Sequence, residues 1–243
     1  MVMTAQQLAD LMPDATQLES NEPEMESSLH YAQLALLVAC LDWLWRERTD
    51  FFIGANLTIY SSREQLKKRD FRGPDFFIVN QTQRHLRWTK YVRNVGLTDC
   101  FLKNHIQRRH RKSWVVWEED GRYPDLIIEL LSPATAKTDR TLKKVLYQDC
   151  FRTPEYFWFS PETLEFEGYR LVGQHYDAIA PNASGHRWSE VLGLFLGVQD
   201  NTLRYFHPSG EPVPTPEEAA AAAQARADRL AEQLKALGVE PKA

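Results

Sequence analysis

Three carboxylates of this chain lie inside apolar runs, where an ionised side chain is out of place. Asp75 follows Gly73-Pro74 and precedes Phe-Phe-Ile-Val at 76–79, while Asp125 and Glu129 fall within the apolar stretch 123–133. Runs this apolar are expected to be strands buried on both faces. An ionised carboxylate there costs several kcal/mol unless a metal ion, a cation or hydrogen bonds compensate it. Side chains alternate along a strand, so Asp125, Ile127 and Glu129 share one face and Leu126, Ile128 and Leu130 the other. Asp75 is on a separate strand able to pair beside it. Carboxylates converging from two neighbouring strands make a hard-oxygen site suited to Mg²⁺ or Mn²⁺. Such an ion lowers the pKa of a bound water and stabilises charge on a phosphoryl oxygen, and a nearby lysine completes the set. Asp125, directly after a proline, reads first as a turn-making residue. Glu129, mid-strand, reads as a site residue.

The surrounding elements follow from periodicity. Leu29, Leu34, Leu37, Leu41 and Leu44 recur at helical spacing between Glu24 and Glu47, with Pro23 placed for the first turn. Residues 51–60 read as a strand with a break at Gly54-Ala55-Asn56, and 113–119 as a further strand. Thr138 to Cys150 reads as a helix stopped by Thr153-Pro154. On it Asp139, Lys143 and Tyr147 recur every four residues and so line one face. Two strands follow at 155–159 and 165–171, and the glycines of 192–197 are expected in turns. Pro208 to Pro216 holds four prolines and reads as a linker. Thr215-Pro216-Glu217-Glu218 then opens a capped, Ala-rich helix. That tail has no core of its own, so it either docks on the body or pairs with another helix, which leaves a homodimer open.

The ordered series Pro124-Asp125, Glu129-x-x-Ser132-Pro133, Asp139-x-x-x-Lys143-x-x-x-Tyr147 and Pro154-Glu155-Tyr156 resembles the Uma-type putative restriction endonuclease family, within the PD-(D/E)XK nuclease superfamily. The segment Arg72-Gly73-Pro74-Asp75-Phe76-Phe77 matches that family's earlier Pro-Asp strand. The resemblance covers roughly residues 24–206 and is most specific over 124–159. It implies an α/β fold: a restriction-endonuclease-like core with a central mixed sheet flanked by helices, plus a C-terminal helical tail. It also implies DNA as substrate, Mg²⁺ (or Mn²⁺) as cofactor, and metal ligands at Asp75 and Glu129. The family favours a further acidic residue on the first long helix, for which Glu26 is the best match and Glu24 the alternative. The superfamily's Glu-x-Lys is here Glu129-Leu130-Leu131, and the family's lysine on the next helix corresponds to Lys143, with Lys144 as fallback. The domains expected are 1–207 for the core, 208–216 for the linker and 217–238 for the tail.

Relatives of that kind pass from the first Pro-Asp strand to the next through a short loop, whereas here about 25 extra residues intervene. Residues 84–112 carry nine Lys or Arg against the single acid Asp99. A charge-rich insertion reads first as a solvated loop. The same cations, with Trp88, Tyr91 and His105 as stacking groups, suit phosphate contacts.

Other classes are disfavoured. The net charge of −4 excludes a polycation. Cys40, Cys100 and Cys150 are too few and too scattered for a disulfide framework or a zinc site, and a reducing cytoplasm is expected. No stretch approaches the ~20 apolar residues of a membrane span, and Met1 to Asp10 lacks the pattern of a secretory signal. Ser132 has no His-Asp pair beside it in sequence, and His30 reads as a surface or capping residue.

Overall fold

In a computed structural model of the chain, the described residues are 18–23, 25–62, 65, 73–80 and 110–237. A six-stranded sheet organises them, in the order β1 (Phe51–Ala55), β3 (Phe76–Asn80), β5 (Leu126–Leu130), β6 (Glu155–Phe159), β7 (Phe166–Val172) and β8 (His175–Ala178). Its β5–β6 pair is parallel and the other pairs are antiparallel, so the central sheet is mixed as expected. A parallel pair needs a crossover, and the chain between β5 and β6 supplies one, helical from Ala136 to Phe151.

The alternation read from sequence sorts the two faces. Phe76, Ile78, Leu126, Ile128, Leu130, Phe157 and Phe159 form one core with Leu34, Leu37, Cys40 and Leu41 of helix α1 (Ser28–Leu44). The same core takes in Leu194, Leu196, Leu203 and Tyr205 from a three-stranded sheet, β9 (Arg187–Ser189), β10 (Leu194–Gln199) and β11 (Thr202–Phe206). Phe77, Val79, Ile127, Tyr156 and Trp158 face the other way, against Tyr147 and Phe151 of the crossover helix. Ile59 and Trp114 join them from a small parallel sheet, β2 (Ile59–Tyr60) with β4 (Trp114–Val115). Helices thus cover both faces.

Several local expectations shift. α1 starts at Ser28, because the Ser27 hydroxyl accepts the His30 amide at 3.3 Å and serves as N-cap; Pro23 lies ahead of the helix. β1 continues through Gly54 and Ala55, and the chain turns at Asn56, whose φ is +46°. Gly54 has no room for a side chain, because a Cβ there falls 2.1 Å from the ring of Phe77, its cross-strand partner. Phe77 is fully buried and cannot swing away. Gly54→Ala should therefore cost about 1–3 kcal/mol, read as a lower urea midpoint at unchanged m-value. The strand expected over 113–119 is cut to Trp114–Val115 by a 3₁₀ turn at Val116–Glu118, since its partner β2 is only two residues long. Gly193 does occupy a turn at φ +67°, but Gly197 lies within β10, under the ring of His186.

Within 208–216, residues 208–212 are exposed and Val213 anchors the segment to the body: it is buried, its amide donates to Tyr205 O at 2.8 Å, and its carbonyl accepts from Cys40 Sγ. Helix α2 (Pro216–Ala236) then opens with the expected capping box between Thr215 and Glu218 and Pro216 in its first turn. Glu218 is clamped by Arg204 through contacts of 2.7 and 3.0 Å. Among the described residues, no helix is long and apolar enough to cross a membrane. Most of the basic stretch 84–112 lies outside the described residues. At its end Arg111 pairs with Glu119 at 2.6 Å over the Phe52 and Trp114 rings, and Lys112 pairs with Glu19 at 2.9 Å.

Candidate active site

The site forms where the β3–β5 ladder ends. The last matched pair toward this end is Phe76 with Ile128, so Asp75 and Glu129 face each other one step beyond it. There the side chains take over the backbone's hydrogen bonds: Asp75 N donates to Glu129 Oε2 at 3.2 Å and Leu130 N to Asp75 Oδ2 at 2.7 Å. Asp75 is held from behind by Asn56, whose amide donates to its carbonyl at 2.7 Å. Glu129 is wholly buried and Asp75 is partly exposed, so the pair opens outward on the Asp75 side.

The crossover helix closes the site from the other direction. It is π-helical over Asp139–Lys143 and again over Leu146–Phe151. Four residues overshoot one α-helical turn and undershoot one π-helical turn, so the mixed winding keeps Asp139, Lys143 and Tyr147 aligned. Lys143 Nζ lies 3.1 Å from Glu129 Oε1 and 3.1 Å from Asp139 Oδ1, and donates to Gly73 O at 3.4 Å. The Tyr147 hydroxyl donates to Glu129 Oε1 at 2.6 Å. Asp139 is almost fully buried, and its Oδ1 has that ion pair but no hydrogen bond of good geometry.

Three buried or half-buried carboxylates therefore surround one ammonium. Burial raises the Glu129 pKa, Lys143 pulls it back, and the charge of Asp75 raises it again, leaving it at about 7. Burial likewise raises Asp75 and Asp139, each opposed by Lys143. For Lys143 burial works toward the neutral amine, but Glu129, Asp139 and Asp75 outweigh it and hold the pKa above the ordinary lysine range. Burial, followed by the Glu129 charge, keeps the Tyr147 hydroxyl protonated. The surplus of negative charge suits a divalent cation. Among the described residues, no group of three or more His, Cys, Asp or Glu is arranged to hold one. The donor set fits an ion that takes two carboxylates and fills its remaining positions with water and substrate oxygens, as Mg²⁺ does.

Of the residues singled out in the sequence, Asp75, Glu129 and Lys143 come together. Glu26 does not join them: it is exposed in the bend before α1 and makes no hydrogen bond or ion pair with them. Glu24 lies outside the described residues. The acidic side chain set against Gly73 is instead Glu22, anchored by the Thr58 hydroxyl at 2.8 Å. Lys144 points elsewhere, over the Tyr169 ring at 3.3 Å. Asp125 sits at the opposite end of β5, where its carboxylate takes the Asn80 amide at 2.8 Å and closes the ladder. His30 is buried rather than superficial. Its Nδ1 pairs with Ser27 Oγ at 2.8 Å and its Nε2 with Leu131 O at 3.2 Å, which ties the start of α1 to the end of β5.

Asp139 and Tyr147 are the partners that residue type alone left without a task. Their four-residue spacing from Lys143 was the available signal.

No curated protein matches this chain. Among solved structures, one described as a putative nuclease belonging to DUF820 from Anabaena variabilis ATCC 29413 is similar at 15% identity and a TM-score of 0.47, over 74% of this chain and 83% of that one. Residues 99–203, which carry Glu129, Asp139, Lys143 and Tyr147 but begin after Asp75, match the model of the family Uma2, described as "Putative restriction endonuclease".

Proposed function

We propose that this chain is a metal-dependent endonuclease that hydrolyses DNA phosphodiester bonds. The observation that carries the reading is the meeting of Asp75 and Glu129 across the end of the β3–β5 ladder with the Lys143 ammonium against them. Asp75 and Glu129 would hold Mg²⁺ or Mn²⁺, which when bound would supply Lewis acidity toward a phosphoryl oxygen and a water of lowered pKa. Tyr147 fixes the Glu129 carboxylate through its 2.6 Å hydrogen bond, and Leu130 N fixes that of Asp75. Lys143 is a fixed positive charge, held in its protonated form by its neighbours. It therefore serves to orient the attacking water and to neutralise charge on the phosphate, not to take up a proton. The partly exposed Asp75 faces the side from which a backbone phosphate can approach.

Supercoiled plasmid incubated with the purified chain and Mg²⁺ or Mn²⁺ should be nicked or linearised. Asp75→Asn should remove the activity, and Lys143→Met should lower it about 10²–10³-fold. Cleavage undiminished in both variants would overturn the assignment.

A second reading, DNA binding without turnover, is favoured by Lys143 itself, which already places a positive charge on Glu129. It predicts salt-sensitive retardation of DNA and an intact plasmid whatever divalent ion is supplied.

A further inference from the structure

The Lys143 ammonium has two anionic neighbours at the same distance, and they differ. Glu129 Oε1 also receives the Tyr147 hydroxyl. Asp139 Oδ1, 3.1 Å from Nζ, is buried and makes no hydrogen bond of good geometry. Asp139 is four residues before Lys143 on the same helix and is not hydrogen-bonded to Asp75, so it is a place for a cation beside the carboxylate pair. A buried carboxylate whose one oxygen lacks a proper hydrogen bond costs free energy. The fold keeps one here, beside a lysine that reaches past it to Glu129.

We propose that Asp139 is a positioning residue that serves as the second berth of the Lys143 ammonium: with the Asp75–Glu129 pair empty, Lys143 is shared between Glu129 and Asp139, and it withdraws onto Asp139 when that pair is loaded. The inference rests on the metal-binding reading of Asp75 and Glu129. An ammonium on Glu129 Oε1 repels a second cation drawn to the same carboxylate, whose Oε2 lies toward Asp75. The berth removes that conflict. It keeps the lysine within reach of the scissile phosphate, and it fills the unsatisfied oxygen of Asp139.

Mn²⁺ binding to the full chain, followed by calorimetry or by the loss of the free-ion paramagnetic resonance signal, tests this without DNA. Asp139→Asn should raise the Mn²⁺ Kd at least tenfold, since Lys143 then has only Glu129 to rest on. In a Lys143→Met background the same change should raise it no more than about threefold. Equal effects in the two backgrounds would mean that Asp139 is either a direct ligand or a remote charge, and would overturn the berth. Lys143→Met alone, which keeps the aliphatic stem and leaves Asp139 intact, should lower the Kd at least tenfold; an unchanged or higher Kd would also overturn it. Failure of both the native chain and Lys143→Met to bind Mn²⁺ would remove the metal reading and the berth together. Native binding with equal Asp139→Asn effects would remove the berth alone.

Discussion

Glu129→Gln should abolish plasmid cleavage and at the same time make the protein's stability less sensitive to rising pH. The loss of activity follows from removing the one buried carboxylate that touches Asp75, Lys143 and Tyr147 together. The change in stability follows from its pKa. In the folded chain that pKa lies at about 7, against 4.5 for an ordinary glutamate, chiefly because Glu129 is buried. The fold therefore favours the protonated carboxyl. This contribution is complete below about pH 4.5 and is lost as pH rises through about 7. Each tenfold change in proton affinity is worth about 1.36 kcal/mol, so the native chain should lose about 3 kcal/mol relative to Glu129→Gln between those limits. The glutamine carbonyl can still accept the Tyr147 hydroxyl, so the comparison isolates the charge. Urea unfolding of both proteins at pH 4.5, 6 and 7.5 measures it. Parallel pH profiles would show that Glu129 is not held against ionisation.

Glu155→Ala should destabilise the chain by about 3–5 kcal/mol with no role in chemistry. Glu155, at the start of β6, is buried and fully occupied. Its Oε1 accepts Arg170 Nε at 3.2 Å, Arg170 Nη2 at 2.9 Å and the Glu190 amide at 2.8 Å, while its Oε2 accepts the Ser189 hydroxyl. These bonds tie β6 and β7 of the central sheet to β9 of the three-stranded one. Alanine would take their acceptor from the Ser189 hydroxyl and the Glu190 amide, and would remove the buried partner of an Arg170 guanidinium that keeps only Trp188 O and the exposed Glu190 carboxylate. For a chain of this length that should lower Tm by about 10 °C. Glu162→Ala, at an exposed position, should stay within about 0.5 kcal/mol of the native chain. A Glu155→Ala loss as small as the control's would mean that the two sheets hold together without this network.

Glu129 and Glu155 also mark how far the sequence reaches. Both are glutamates in strands made otherwise of apolar residues; the cost of burying a carboxylate flags Glu129 in mid-strand, whereas Glu155, at the first position of its strand, reads only as part of the Pro-Glu-Tyr motif. The alternation along β5 settled which neighbours share a face with Glu129, and the division of the core into two clusters agrees with it. Four-residue spacing settled that Asp139, Lys143 and Tyr147 share a side, and local chemistry settled the capping box of α2. These features depend on residues near one another in the chain. What answers each buried glutamate does not. Glu155 is neutralised by Arg170 and by a turn more than thirty residues away, and becomes a structural tie. Glu129 meets Asp75 from 54 positions upstream, together with a lysine held against it by a helix part α and part π. Only the pairing of β3 with β5 and the winding of that helix decide that one acid is satisfied and the other is left with excess negative charge. Both depend on long-range packing, which local pattern and propensity do not encode.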